Sequence, residues 1–207
     1  MTDTVARRLV LASQSPRRIH LLQEAGYEFI TEAADIDEQK AASSVMPSEM
    51  AIQIALAKAD AIAIKFPDDV ILAADTIVAL GDWVIGKPRD AEHARKIIEL
   101  LSGATQVVIT GVAVVCRAME FARLGRVMSA VQMRSLTPAE IDRYIASNLW
   151  QGKAGGYGIQ DPEPLVKCIS GDPTNVIGLP MKKTMEMLAD AGIKSGNPPA
   201  AGSSNPT

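Results

Sequence analysis

The segment Val70–Leu80, VILAADTIVAL, constrains the fold more than any other part of the chain. Its residues are apolar and often β-branched, which is typical of a central strand that is buried on both faces of a sheet. Asp75 and Thr76 interrupt this pattern. Burying an ionised carboxylate costs on the order of several kcal/mol unless a partner or a metal compensates. Asp75 is therefore a candidate functional residue, although it could instead cap a loop or pair with a buried arginine.

Hydrophobic periodicity and punctuation by glycine and proline predict strands alternating with helices along the rest of the chain. This alternation indicates an α/β fold with a mixed sheet. Further strands are expected at 8–12, 27–30, 105–117, 121–135 and 165–169, and helices at 15–26, 48–65, 90–101, 179–191 and from 137 onward, with Ser15, Ser48, Asp90 and Thr137 as the capping residues.

A chain of 207 residues can form one large domain or two small lobes. We expect a single unit over residues 1–194. Residues 195–207, SGNPPAAGSSNPT, are small, polar and rich in proline, so we expect a disordered tail there.

Charge and composition exclude several classes of function. The net charge of −3 argues against binding to duplex nucleic acid, so any bound anion should be small and local. Two cysteines and two histidines are too few for a disulfide framework or a histidine-rich metal site. The sequence contains neither the core of a signal peptide nor an apolar run long enough for a membrane helix. We therefore expect a cytoplasmic protein without a membrane partner.

The stretch LASQSPRR places two arginines at the predicted start of the first helix. A helix N-terminus offers unpaired N–H groups and a partial positive charge, which together attract anions. Arg17 and Arg18 would strengthen such a site. The simpler interpretation is that Ser15 only caps the helix and that both arginines are solvated.

Lysines and acids elsewhere suggest a polyphosphate site with a divalent cation. Lys87 and Lys153 each follow a glycine, but neither segment is a P-loop. Taken alone, each lysine and the acidic loop at Asp37 and Glu38 could simply be solvated. Mg²⁺ or Mn²⁺ would use carboxylates and phosphate oxygens, while the lysines neutralise the phosphates.

The glycine-rich segment 151–160 ends in Gln160, whose amide can both donate and accept hydrogen bonds. This suits recognition of a base edge, and an ordinary turn is the alternative.

Six motifs in this order resemble the Maf family of nucleotide pyrophosphatases over residues 9 to about 190. They are LASQSPRR, AADTIV, GKPRD, LSG before ITGVAVV, GKAGGYGIQ and NVIGLP. The resemblance implies a fold similar to that of inosine-triphosphate pyrophosphatases, with an elongated sheet flanked by helices and a cleft between two lobes. It also implies a homodimer and hydrolysis of nucleoside triphosphates to monophosphate and pyrophosphate with Mg²⁺, Mn²⁺ or Co²⁺.

By the same resemblance, Ser13, Arg17 and Arg18 fall in the phosphate-binding loop, and Asp75 matches the catalytic acid that accepts a proton from water. Glu38 matches a carboxylate that supports metal binding, and which acid is base and which is ligand stays open. Lys58 and Lys87 match lysines that neutralise the phosphates.

The ending GYGIQ resembles the subfamily that acts on dTTP and UTP, in which Arg18, Thr76 and Gln160 fall at positions linked to base choice. Two features differ: Gln106 stands where many members have histidine, and SGDPTNVIGLP replaces the commoner GSYxxVVGLP. The alternatives are a pyrophosphatase for 7-methyl-GTP or another modified nucleotide, and a nucleotide-binding regulator of septum formation.

Overall fold

A computed structural model of the chain describes residues 7–41 and 46–196, apart from the side chain of Gln39. Strands and helices alternate along these residues, as the sequence predicts. The strands are Leu9–Leu11 (β1), Phe29–Thr31 (β2), Val70–Leu80 (β3), Trp83–Ile85 (β4), Thr105–Cys116 (β5), Phe121–Met133 (β6) and Val166–Ser170 (β7). The helices are Pro16–Glu24 (α1), Glu38–Ala41 (α2), Pro47–Lys65 (α3), Ala91–Leu101 (α4), Pro138–Ala146 (α5), Pro173–Ile177 (α6) and Met181–Asp190 (α7).

The seven strands form one mixed sheet in the order β2-β1-β3-β5-β6-β7, with β4 attached to β3. β1 runs parallel to both β2 and β3, whereas the pairs that involve β4, β5, β6 and β7 are antiparallel. The predicted mixed α/β fold is confirmed. β3 lies at the centre and is buried along nearly its whole length, as its sequence indicates.

One edge of β3 lacks a partner strand over a short stretch. β1 pairs with β3 only as far as Leu72, and β4 begins to pair on the same side at Val78. The chain leaves the sheet after β1 and enters α1, so the five residues between these positions face a gap. Asp75 and Thr76 lie in this gap. Ligands of open α/β sheets bind at such a place, beyond the carboxyl end of a parallel strand.

Helices cover both faces of the sheet. On one face, Ile71 and Ala73 of β3 pack in the same cluster as Ala55 and Ala59 of α3. On the other face the core is divided into two clusters. The first joins Leu72 to α1 and α7, and the second joins Val78 to α4 and α5. Thr76 lies on β3 between these two clusters, so polar side chains can gather there without entering either hydrophobic cluster.

The structure differs from the sequence predictions in several local details. α3 begins at Pro47, whose ring fixes φ near the helical value, and Met46 occupies the N-cap position. The prediction that Ser48 caps this helix is therefore wrong. Ser15 occupies the N-cap position of α1, but its side chain makes no capping hydrogen bond. The sequence did not predict α2, β4 or α6. By contrast, Asp90 caps α4, and Thr137 opens α5 with the expected capping box.

The predicted tail begins with two residues that contact the body of the protein. Ser195 Oγ donates to the carbonyl of Ala25, and Gly196 N donates to the carbonyl of Gly26. The rest of the predicted tail, residues 197–207, lies outside the described residues.

Candidate active site

The gap at β3 opens into a cleft of about 730 Å³. All nine side chains that the sequence predicts for the site line this cleft, although they come from widely separated parts of the chain. They are Ser13, Arg17, Arg18, Glu38, Lys58, Asp75, Thr76, Lys87 and Gln160. The predicted site is therefore a single cavity.

The first wall of the cleft is the turn from β1 into α1. Ser13 Oγ lies 3.2 Å from the backbone N of Ser15, which closes the turn. Pro16 then begins the helix, so the unpaired N–H groups of its first turn lie at the cleft wall. Arg17 extends from this turn toward the glycine-rich segment, where its guanidinium lies 3.5 Å from the carbonyl of Gly152. Helix polarity and arginine charge thus favour an anion at the same place.

Arg18 is held by three hydrogen bonds. Nε donates to the carbonyl of Gly178 at 2.8 Å, Nη1 donates to Ser13 Oγ at 3.3 Å, and Nη2 donates to Thr76 Oγ1 at 3.1 Å. Burial lowers the pKa of this guanidinium, and the nearby carboxylate of Asp75 opposes the shift. A guanidinium has five N–H donors, so Arg18 retains donors for a ligand while it fixes Ser13 and Thr76.

A buried cation holds the two candidate catalytic carboxylates together. Lys58 Nζ lies 2.7 Å from Asp75 Oδ1 and 2.7 Å from Glu38 Oε1. The side chains of Lys58 and Asp75 are only 11% and 10% exposed, whereas that of Glu38 is 47% exposed. The ammonium thus compensates the buried charge of Asp75. One alternative for Asp75 was a pair with a buried arginine. Asp75 does pair with a buried cation, but that cation is Lys58, which lies inside the cleft.

The electrostatic setting of Glu38 favours its ionised form. Burial by itself would raise the pKa of this carboxyl. The hydrogen bond from Lys58 and the charges of Lys58, Lys87 and Arg18 outweigh burial, and the pKa lies below its ordinary value. Glu38 therefore carries a negative charge at neutral pH.

A glycine on β5 lets α3 carry Lys58 to this position. Gly111 pairs with Asp75 across the sheet. A Cβ atom at Gly111 would lie 2.3 Å from the backbone carbonyl group of Ala51 in α3. No real side chain fits such a distance, so the helix packs directly on the strand. This close packing places Lys58, two turns further along α3, beside Asp75.

The carboxylates of the cleft suit a hard cation if phosphate oxygens of a ligand complete its coordination. Among the described residues, no group of three or more His, Cys, Asp and Glu side chains is placed to hold a metal alone. Asp75 and Glu38 contact the same Nζ, so their bonded oxygens lie at most twice 2.7 Å apart. Mg²⁺ is usually bound by one or two carboxylates together with substrate phosphates and water. The residues present fit that pattern.

The glycine-rich segment also lines the cleft, together with Asp161, which the sequence analysis left out of the site. Gln160 is exposed at the cleft. Its neighbour Asp161 forms an ion pair with Lys153, and its carboxylate also lies 2.8 Å from the hydroxyl of Tyr144. The sequence signals were a lysine after a glycine and an acid beside Gln160. Pairing between them could not be read from spacing alone.

The unusual segment near residue 175 connects to the site through the core. Asn175 is fully buried, and its Nδ2 donates to the carbonyl of Val108 at 3.0 Å. Its own carbonyl accepts from Thr110 Oγ1, which lies 3.0 Å from Thr76 Oγ1. Gln106, the other departure, is buried in β5 and is not part of the cleft lining. The segment around Asn175 therefore connects to the cleft through Thr110 and Thr76.

The cleft is positively charged although the chain is acidic overall. Five cations and three carboxylates line it, whereas the net charge of the chain is −3. The cations are Arg17, Arg18, Lys58, Lys87 and Lys153, and the carboxylates are Glu38, Asp75 and Asp161. The site is thus suited to a small, highly charged anion.

Among the described residues, none of the helices has both the length and the apolar character needed to cross a membrane.

Residues 8–191 match the family model described as "Maf-like protein". The chain is 42% identical over 185 residues to a dTTP/UTP pyrophosphatase of Pyrococcus furiosus, covering 88% of this chain and 94% of that protein. It is 43% identical over 187 residues to a dTTP/UTP pyrophosphatase of Roseobacter denitrificans, covering 89% of this chain and 97% of that protein.

Solved structures give more distant similarities. A nucleoside-triphosphatase / dITP/XTP pyrophosphatase of Mycobacterium abscessus is 15% identical, with a TM-score of 0.49 over 89% of this chain and 97% of that one. A HAM1 protein of Coxiella burnetii is 17% identical, with a TM-score of 0.43 over 62% of this chain and 73% of that one.

Proposed function

The chain belongs to the Maf family, and we propose that it is a metal-dependent pyrophosphatase of nucleoside triphosphates. Its substrates are dTTP, UTP and related modified pyrimidine nucleotides, and its products are the nucleoside monophosphate and pyrophosphate. The observation that carries the proposal is the convergence of nine separated side chains on one cationic cleft. The names of the relatives, which are about 40% identical over most of the chain, support the same activity.

The reaction is an attack of water on the α-phosphorus. A new P–O bond forms to the water oxygen, the bond from the α-phosphorus to the oxygen that bridges to the β-phosphorus breaks, and pyrophosphate leaves. Asp75 accepts the proton that the attacking water loses. Lys58 engages Asp75 Oδ1, which leaves Oδ2 to act as the base. A positioned general base of this kind typically contributes a rate factor of about 10²–10⁴.

The cations of the cleft stabilise the negative charge that develops on the phosphate oxygens. Lys87 follows β4 and Arg17 lies in α1, so cations from two separate elements line the cleft and can contact the triphosphate. Because these charges line the cleft before the substrate arrives, they favour the more highly charged transition state. The first turn of α1 adds its N–H groups to the same field.

Asp75 and Glu38 would hold Mg²⁺, Mn²⁺ or Co²⁺ together with oxygens of the triphosphate. When bound, such an ion neutralises phosphate charge and polarises the phosphoryl group. Lys58 fixes both carboxylates near one point, so their charge is already concentrated there. Titration of the protein with Mn²⁺, followed by the rise in melting temperature, tests this binding independently of turnover. Asp75→Asn should reduce the rise.

Gln160 supplies the recognition of the base. Its amide can accept from N3–H and donate to O4 of uracil or thymine, which requires one donor and one acceptor side by side. Cytosine presents the opposite pattern at these two positions. Selection of pyrimidines that carry O4 follows from this match.

The test is turnover of dTTP, UTP, dCTP, GTP and 7-methyl-GTP with Mg²⁺ or Mn²⁺, with separation of the products. Release of monophosphate and pyrophosphate from dTTP and UTP first is the expected result. Faster turnover of 7-methyl-GTP would replace the pyrimidine assignment, and the changed segment around Asn175 would then be the first place to examine. Tight binding of nucleotide without metal-dependent turnover would indicate a regulator in place of an enzyme.

A further inference from the structure

Asp161 is a buried carboxylate that the reaction scheme does not use. Its side chain is 7% exposed, although it follows directly after the exposed Gln160. Oδ1 accepts from Lys153 Nζ. Oδ2 accepts from the backbone N of Gly158 at 3.0 Å and lies 2.8 Å from the hydroxyl of Tyr144. Both oxygens are thus engaged, by two donors from the glycine-rich segment and one from α5.

These contacts close residues 158–161, which include Gln160, into a fixed turn. The backbone N of Asp161 donates to the carbonyl of Gly158 at 3.3 Å, so side chain and main chain bridge the same residues. A Cβ atom at Gly158 would lie 2.6 Å from Asp161 Oδ1 and 2.9 Å from Lys153 Nζ. The glycine therefore leaves the space that the carboxylate and the ammonium occupy.

The turn is also fastened to the second core cluster. Tyr144 lies on α5 and belongs to that cluster, and its hydroxyl lies 3.1 Å from the carbonyl of Gly156 as well as near Asp161. Burial, followed by the hydrogen bond and charge of Asp161, raises the pKa of this phenol, so Tyr144 remains a donor at neutral pH. The segment is held at both ends by one helix residue.

We infer that Asp161 is a positioning residue for base selection, because its carboxylate fixes the turn that presents the Gln160 amide to the nucleotide. The inference rests on the proposed function, since it assigns a determinant of the specificity of the same cleft. Selecting between O4 and an amino group requires the Gln160 amide to be held in one orientation. A residue on a loosely held turn could meet either base with a similar energy.

The negative charge of Asp161 matters as well as its shape. All three groups around the carboxylate are hydrogen-bond donors, and an ionised carboxylate is an acceptor only. An asparagine would turn its NH₂ group toward one of these donors and would leave Lys153 without a counter-charge. Asp161→Asn therefore loosens the turn while it preserves the volume of the side chain.

The experiment compares kcat and KM for dTTP and dCTP in the wild type, Asp161→Asn, Tyr144→Phe, Gln160→Ala and the double variant Gln160→Ala/Asp161→Asn. For Asp161→Asn we expect the preference for dTTP, as a ratio of kcat/KM values, to fall by about tenfold, the loss typical of one good base contact. The change should appear in KM for dTTP, while kcat stays within about threefold. Tyr144→Phe removes a single hydroxyl and should move the ratio in the same direction by less.

The double variant separates positioning from a general loss of stability. If Asp161 acts through Gln160, the double variant discriminates no worse than Gln160→Ala alone. Asp142→Asn is the matched control, because it removes an exposed carboxylate from α5 that pairs with Arg95, and it should leave the ratio unchanged.

Two results overturn the inference: an unchanged ratio in both Asp161→Asn and Tyr144→Phe, or fully additive losses in the double variant. Should Asp161→Asn fail to fold, Tyr144→Phe and its double variant with Gln160→Ala decide by the same criteria. If the wild type hydrolyses neither nucleotide, the proposed function itself fails, which is a different outcome from selective turnover that Asp161→Asn does not alter.

Discussion

Replacement of Lys58 by methionine tests the central electrostatic feature of the cleft. The methionine keeps the length of the side chain but removes the ammonium that lies 2.7 Å from both Asp75 and Glu38. Because Asp75 is about 10% exposed, its charge would remain buried without a partner. Removing one partner of a buried pair typically costs about 3–5 kcal/mol. Glu38 is half exposed and water can solvate it, so we expect a loss near the lower end, about 3 kcal/mol.

The assay is urea unfolding at pH 7, followed by far-UV circular dichroism. Lys65→Met is the matched control, since Lys65 lies on the same helix and pairs with Glu32 at the same distance of 2.7 Å. That pair is exposed, with side-chain exposures of 58% and 36%, and such pairs contribute about 0.2–1 kcal/mol. The two variants should therefore differ by about 2 kcal/mol or more in their free energies of unfolding.

The pH dependence of the loss gives a second criterion. Burial raises the pKa of Glu38, but Lys58 and the other cations hold it below its ordinary value of 4.5. Stability from such a group is present above the unfolded pKa and is lost as the pH falls through the folded one. The difference in the free energy of unfolding between wild type and Lys58→Met should thus be largest above about pH 4.5 and should decrease below it. The reasoning is refuted if Lys58→Met costs no more than Lys65→Met at pH 7.

Two further predictions concern the elements around the cleft. Gly111→Ala should lower the free energy of unfolding by about 3 kcal/mol or more, because the new methyl group meets the backbone of α3 at 2.3 Å, whereas Gly86→Ala has open space and should cost little. Equal melting temperatures of these two variants would contradict the packing argument. Glu140 in the capping box of α5 has a pKa lowered to about 2 by hydrogen bonds from Thr137 and by Arg134. Its contribution to stability is present above its ordinary pKa of 4.5 and is lost as the pH falls through about 2, which titration of its carboxyl carbon by NMR would follow. A midpoint near the ordinary value would contradict the assignment.

Much of the fold could be predicted because local signals and global packing agree. β3 is apolar on both faces and proves to be the central strand. The box at Thr137 sets the start of α5, and Asp90 sets the start of α4. These elements are long or carry an unambiguous cap, so neighbouring parts of the chain change them little.

The missed elements are short and depend on tertiary contacts. β4 has three residues and exists by pairing with the end of β3, and α6 has five residues and is anchored by the buried Asn175. Segments of three and five residues are too short to show the hydrophobic periodicity that identifies a strand or a helix in a sequence. At the start of α3, Pro47 and Ser48 are both residue types that favour a helix N-terminus. The helix begins at Pro47.

Motifs indicated residues that line one cleft, but they did not indicate how these residues interact. The sequence indicated that Asp75 needs compensation, yet Lys58 is 17 residues away on another element, and only the packing of α3 on Gly111 brings them together. The pair formed by Lys153 and Asp161 was missed for the same reason. The homodimer stays a prediction.

The most direct test of the account is metal-dependent release of pyrophosphate from dTTP by the wild type, Asp75→Asn and Asp69→Asn. Asp69 is the matched control, because it is similarly buried and pairs with Arg8 at 2.7 Å, but it lies outside the cleft lining. We expect Asp75→Asn to lower kcat by about a hundredfold or more, as loss of a general base requires, and Asp69→Asn to stay near the wild-type rate. Wild-type turnover by Asp75→Asn, or equal losses in both variants, would contradict the catalytic role of Asp75.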